Sequence, residues 1–135
     1  MKILIIGLSG SGKSTLADKL ANRLGYPRIN ADEVRKEAND WDFSPAGRTR
    51  QAQRIALKAQ QHTNVVIDTI APLRLHRAII KADITIWMNT VLESRHSDTD
   101  KLFEPPKNAD IVITELNYSI DDIVYRLTTS LNSGN

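Results

Sequence analysis

A lysine and a hydroxyl behind a glycine-rich run are the residues of this sequence best placed to do chemistry. Gly7-Leu8-Ser9-Gly10-Ser11-Gly12-Lys13-Ser14-Thr15 matches the spacing G-x-x-x-x-G-K-[ST], with Gly7, Gly12, Lys13 and Ser14 in the required places. Glycines let the backbone curl so that successive N–H groups face phosphate oxygens, and a following helix adds its positive N-terminal end. Lys13 would reach the β- and γ-phosphates of ATP, and the Ser14 hydroxyl would hold Mg²⁺. Gly7, Ser9, Gly10, Ser11, Gly12, Lys13, Ser14 and Thr15 are the expected ATP-binding residues.

Three further groups could complete a phosphoryl-transfer site. Asp32 is the best general-base candidate, because an acceptor hydroxyl needs a carboxylate to orient it and take its proton. The same carboxylate could instead serve only the dipole of the helix it begins. Arg35, one turn later, would face the same cleft and hold the acceptor, or else lie solvated on the helix. Asp68 ends the apolar run Val65-Val66-Ile67 in the manner of a carboxylate that orients Mg²⁺, although a turn aspartate bonding nearby backbone would look alike. Arg48, Arg54, Arg74 and Arg77 lie on helices starting near the same rim, where two or more could converge on an anionic acceptor. Phe43, beside Trp41, offers a face for stacking a base or a cover for the core. His62, His76 and His96 have no metal-ligand spacing and receive no role.

The elements that must position these groups alternate between strand and helix, which implies a parallel sheet with crossover helices. Strands are expected at Lys2–Ile6, Arg28–Asn30, Val65–Asp68, 83–88 and 110–114. After the first strand, Leu16, Ala17, Leu20, Ala21 and Leu24 recur at helical spacing and stop at Gly25. Further helices are expected over about 32–38 and about 46–61. Ser44 should cap the second of these, with Pro45 in its first turn and Ile55, Ala56 and Ala59 buried. Pro72 should open a helix to about Ile80, and Ser119 should cap a last one to about Leu131, with Asp121 and Asp122 in its first turn. Residues 91–108 have a polar, turn-rich middle, His96-Ser97-Asp98-Thr99-Asp100-Lys101. In such a sheet ligands bind outside the carboxyl ends of the strands. That places the glycine loop, Asn30-Ala31-Asp32, Asp68-Thr69 and Asn89-Thr90 on one rim.

Composition bounds the rest. The 135 residues suit one domain, and a 41% hydrophobic share suffices for one buried sheet with helices on both faces. The sequence has no cysteine, which excludes disulfides and thiolate chemistry and fits a cytoplasmic protein. No apolar stretch approaches the roughly 18–20 residues that span a bilayer, and Met1-Lys2 running into a core strand argues against a signal peptide. A formal charge of +2 is too balanced to argue for nucleic acid.

The motifs also carry a family likeness. The chain resembles adenylylsulfate (APS) kinases, P-loop enzymes that phosphorylate the 3′-hydroxyl of adenosine 5′-phosphosulfate. Asn30-Ala31-Asp32-Glu33-Val34-Arg35 is similar to that family's Asp-Gly-Asp-Asn-Val-Arg. Phe43-Ser44-Pro45-Ala46-Gly47-Arg48 is similar to Phe-Ser-Pro-Glu-Asp-Arg, with Arg54 matching a later arginine. Ile70-Ala71-Pro72-Leu73-Arg74 is similar to Ile-Ser-Pro-Tyr-Arg, and Phe103-Glu104-Pro105-Pro106 to Tyr-Glu-Pro-Pro. The resemblance implies an α/β, three-layer P-loop NTPase fold of about five parallel strands, with residues 1–135 forming a single kinase domain. It implies ATP and Mg²⁺ as cofactors and Lys13, Asp32 and Arg35 as catalytic residues. Asp32, Arg35, Phe43, Arg48 and Arg74 would bind the substrate, and Ser14 and Asp68 the metal. The departures are Asn30 for aspartate, Ala71 for serine, Arg50-Gln51 where the family carries an asparagine, and a lid cut short at about 91–108. Arg95, with Lys101 as a second candidate, would be the remaining lid cation at ATP.

Ile29-Asn30-Ala31-Asp32-Glu33-Val34-Arg35 and Val66-Ile67-Asp68-Thr69 also resemble polynucleotide 5′-kinases, which agree on Asp32 and Arg35. The expected partner is a small nucleotide acceptor, with nucleic acid as the alternative substrate, no membrane, and the oligomeric state left open. A trimmed member that binds nucleotide with little turnover is a third expectation.

Overall fold

The computed structural model describes residues 1–91, 94 and 97–133. Strand β1 (Lys2–Ile6) forms the centre of a five-stranded sheet. It lies between β3 (Val65–Asp68) and β4 (Ile84–Met88), with Ile3 paired to both Val66 and Ile84. Short β2 (Arg28–Asn30) flanks β3 and β5 (Ile111–Ile113) flanks β4, giving the order β2-β3-β1-β4-β5 with every pairing parallel. A parallel sheet needs both faces covered. The pleat accordingly sends Ile3 and Ile5 to one face, Leu4 and Ile6 to the other.

Helices α1 (Lys13–Leu24) and α6 (Ile120–Ser133) cover the first face, where Leu16, Leu20 and Leu127 are fully buried. Helices α2 (Ala31–Ala38), α3 (Pro45–Gln60) and α4 (Arg74–Ile80) cover the second through Val34, Ile55 and Ile80. Each such side chain removed from water contributes about 1.5–3 kcal/mol. Among the described residues no helix is long and apolar enough to cross a membrane.

Three expectations need correction. Ala56 is only half-buried, and Ala52 and Gln51 turn inward beside Ile55 and Ala59 instead. Pro72 does not open α4, because Leu73 stays extended (φ −104°, ψ 149°) as its N-cap. Arg77 donates to the Ala71 and Pro72 carbonyls, which keeps those two residues out of the helix. The turn-rich stretch before β5 contains a short helix, α5 (Ser97–Leu102), with Ser94 N and Oγ bonded to the Asp100 carboxylate ahead of it.

Candidate active site

The glycine loop leaves the carboxyl end of β1 and curls over the start of α1. Gly12, the N-cap of α1, has φ 98°, a conformation that costs a side-chain-bearing residue strain. Thr90 Oγ1, from the end of β4, donates to the Ser11 carbonyl at 2.7 Å and pins the loop to the sheet. Lys13 Nζ donates to the Leu8 carbonyl at 2.9 Å, a backbone oxygen that holds the ammonium at the loop until a stronger acceptor arrives. Burial lowers the Lys13 pKa from 10.5 to about 8, against the raising effect of Asp68 and Asp32. Ser9, Gly10, Gly12, Lys13 and Ser14 line a cleft of about 810 Å³. Gly7 and Ser11 are buried, and Thr15 is exposed outside the lining.

The two candidate metal ligands lie together. Register pairs Asn30 with Asp68, so the ends of β2 and β3 face the Ser14 end of the glycine loop. Asp68 is only 3% exposed, and its carboxylate accepts from Asn30 Nδ2 at 2.8 Å. Arg28 makes a two-point contact with Asp68, Nε to Oδ1 at 2.9 Å and Nη2 to Oδ2 at 3.1 Å. The same Nη2 donates to Ser14 Oγ at 2.8 Å. One cationic group thus bridges the hydroxyl and the carboxylate, two oxygen donors of the kind a hard divalent cation takes. No group of three or more His, Cys, Asp or Glu gathers among the described residues, so a metal here would take its other ligands from phosphate and water.

Asp32 lines the cleft from the first turn of α2. The capping role falls to Asn30, whose Oδ1 accepts from Glu33 N at 3.1 Å, leaving the Asp32 carboxylate to the cleft. Phe43 is 52% exposed and lines the cleft with Arg48. The Arg35 guanidinium lies 4.2 Å and that of Arg48 5.5 Å from the Phe43 ring centre. Arg35 is buried at 6% exposure, and its Nη1 donates to the carbonyls of Asp40 and Asp42. Burial pulls its pKa below the usual range, Asp40 opposing and Arg48 and Arg54 adding to it. Arg48 is lowered by burial alone. Arg48 donates from Nε to the Phe43 carbonyl and from Nη2 to Thr99 Oγ1, tying α5 to α3. Asp98 and Thr99 of α5 therefore join the lining.

The remaining arginines do other work. Arg54 and Arg50 hold the Asp40 carboxylate, and Arg77 holds the Ala71 and Pro72 carbonyls. Arg74 is exposed outside the cleft lining, its backbone N–H bonded to Glu104. Arg95 lies outside the described residues.

Sequence reading missed several contributors. Arg28 gave no signal, because its role depends on strand pairing. Gln51 Nε2 donates to the Ala31 carbonyl at 2.8 Å and braces the start of α2 from α3. His76, 2% exposed, accepts from Leu73 N through Nδ1 and caps α4. A search for Ser, Thr, Asp and Asn caps passes over a histidine.

Comparison with known proteins bears on the fold and the family. A curated shikimate kinase of Actinobacillus pleuropneumoniae (serotype 5b, strain L20) is 31% identical over 110 residues, covering 73% of this chain and 64% of the relative. The match thus spans less than two thirds of that relative's length. A probable gluconokinase of Rattus norvegicus is 49% identical over 37 residues, 27% of this chain and 20% of that protein. Among solved structures, a mutant of the Mycobacterium tuberculosis APS kinase CysC superposes with a TM-score of 0.73 at 26% identity. That alignment covers 97% of this chain and 96% of the other. The fold is the α/β P-loop NTPase fold. The AAA domain family model AAA_33 matches residues 3–111, and the chain belongs to that family.

Proposed function

We propose that the chain is an ATP-dependent phosphotransferase that moves the γ-phosphate to a hydroxyl of a small anionic acceptor, a nucleotide such as adenosine 5′-phosphosulfate first among them. The observation that carries this reading is one cleft lined by the glycine loop with Lys13 and by Asp32, Phe43 and Arg48. Lys13 would exchange the Leu8 carbonyl for phosphate oxygens and stabilise charge on the transferring group. Asp32 would accept the proton of the acceptor hydroxyl as its oxygen attacks the γ-phosphorus and the bond to the β-phosphate oxygen breaks, releasing ADP. Phe43 would give the acceptor a flat apolar face and Arg48 a positive charge, the combination that suits a nucleotide. Ser14 and Asp68 would hold Mg²⁺, which when bound neutralises phosphate charge. Relatives named for APS, shikimate and gluconate kinases support the reaction class and leave the acceptor to experiment.

ADP release measured with Mg-ATP plus adenylyl sulfate, shikimate, gluconate, a 5′-hydroxyl oligonucleotide or no acceptor tests the reading, with Lys13→Ala as blank. Stimulation by adenylyl sulfate is expected. Stimulation by another acceptor alone would reassign the substrate, and ATP binding with no stimulation would make the chain a nucleotide-binding module. Asp32→Asn should lower kcat by about 10²–10⁴-fold with ATP affinity retained. Near-normal turnover would remove Asp32 from the base role.

A further inference from the structure

We propose that Arg28 is a resident cation of the metal site, held by Ser14 and Asp68 and swinging outward to Asp18 when a divalent ion binds. The inference rests on the assignment of Ser14 and Asp68 as metal ligands. The guanidinium already makes the contacts that a metal would need: two points on Asp68, and Ser14 Oγ at 2.8 Å. A hydroxyl that accepts from Arg28 presents a cation where a metal must approach, and two like charges on one oxygen repel strongly. Asp68 is buried, so without a cation its charge would be compensated, among the described residues, by the Asn30 amide and the more distant Lys13. Arg28 therefore keeps the metal-free site folded and neutral.

The outward position has its own anchor, Asp18. Arg28 Nη1 is 3.9 Å from Asp18 Oδ1, and the Asp18 side chain is 69% exposed. Asp18 follows Ser14 by four residues on α1, so it stands one turn further along the same helix face. A rotation of the Arg28 side chain would trade the inner carboxylate for the outer one without moving β2. Arg28 is thus a positioning residue, and the affinity of the site for metal is set partly by how readily the arginine leaves.

The test measures Mn²⁺ binding to the protein–ADP complex by electron paramagnetic resonance, using the unmodified chain and the variants Arg28→Gln, Asp18→Ala, Ser14→Ala and Asp68→Asn. Arg28→Gln should tighten Mn²⁺ on the order of tenfold, the scale of losing one nearby competing charge. Asp18→Ala should loosen it a few-fold, because the outer anchor is gone. Without metal, Arg28→Gln should melt at lower temperature, and Mn²⁺ with ADP should raise its melting point more than it raises that of the unmodified chain. Weakened or unchanged Mn²⁺ affinity in Arg28→Gln, with Ser14→Ala and Asp68→Asn both impaired, would overturn the proposal and leave the metal site standing. Should Arg28→Gln fail to fold, tighter or unchanged Mn²⁺ binding by Asp18→Ala would overturn it equally. If Ser14→Ala and Asp68→Asn bind Mn²⁺ normally, the metal assignment itself falls, and the Arg28 inference with it.

Discussion

Replacing Gly47 with alanine sets two physical effects against each other, and the structure decides between them. Gly47 lies in the first turn of α3, where alanine is favoured over glycine by about 1 kcal/mol on helix propensity. A methyl built there, however, would lie 2.5 Å from Asp42 Cγ and 2.7 Å from its carbonyl carbon, and nearer still to the carbonyl oxygen. The neighbour is backbone, so no side-chain rotation relieves the clash. The 40–44 loop would have to retreat by on the order of 1 Å to reach ordinary van der Waals distance.

That loop is held by Arg35 to the Asp40 and Asp42 carbonyls, by Arg50 to both carboxylates, and by Ser44 N to Asp42 Oδ1. Losing one or two bonds to charged groups costs about 1.5–3 kcal/mol each, and overpacking alone costs about 1–3 kcal/mol. The clash exceeds the propensity gain, and Gly47→Ala should lose a net ~2 kcal/mol, seen as a melting point lower by roughly 6–10 °C. Because Phe43 rides on this loop, acceptor KM should rise several-fold while ATP affinity, set by the glycine loop, stays within about twofold. Urea melts and separate titrations of the two substrates provide the readout. An alanine variant as stable as the parent, or one that loses ATP affinity first, would refute the argument.

Two other outcomes follow from named groups. Lys13 is deprotonated in the free protein as pH rises through about 8 and should be held charged by bound phosphates, so metal-free ADP should bind about tenfold more weakly at pH 9 than at pH 7. Calorimetry in buffers of different ionisation enthalpy should record proton uptake near pH 8, absent in Lys13→Met; a flat affinity would contradict the depressed pKa. Folding stability should also rise with pH between about 8 and 10.5, as the folded chain gives up the proton that the unfolded chain keeps and the cost of burying the charge is relieved. Asn30→Asp would replace the amide donor to Asp68 with a second carboxylate. Stability at pH 7 should fall by about 1–3 kcal/mol and recover towards pH 5, since the like charge raises a folded-state carboxyl pKa and protonation relieves the repulsion. An equal deficit at both pH values would count against the pairing.

What was legible in the sequence was what local physics dictates. The apolar run 3–6, the glycine loop and the 16-17-20-21-24 stripe of α1 are set by covalent neighbours and by burial of one face, and all appear where periodicity puts them. Ser44 accepts from Gly47 N as a cap should, with Pro45 following it. Pro72 misled because proline marks a helix start only where the next residue can turn, and here Arg77 takes the Ala71 and Pro72 carbonyls from six and five residues away. Helix α5 was invisible for a different reason. Its sequence Ser-Asp-Thr-Asp-Lys-Leu has no apolar stripe, and it is stabilised by Asp100 reaching back to Ser94 and by Thr99 meeting Arg48 across 51 positions of sequence. Arg28 belongs with α5, since only the β2–β3 register brings it to Asp68.

This division between local and distant causes also explains why the donor is easier to name than the acceptor. ATP would be bound by backbone N–H groups, one lysine and one hydroxyl within nine consecutive residues, so a spacing rule captures them. The proposed acceptor end would draw on α2, the 40–44 loop, α3 and α5, where Arg35 and Arg48 are already engaged with backbone or Thr99. On the proposed function, Arg48 would have to exchange Thr99 for an acceptor anion, whereas Arg35 donates to the carbonyls of the loop that carries Phe43. Acceptor choice would then depend less on which arginines are present than on which of them is free to let go. On that reading the residue to vary when changing acceptor specificity is Thr99, whose hydroxyl accepts from Arg48 Nη2 while the Phe43 carbonyl holds Nε.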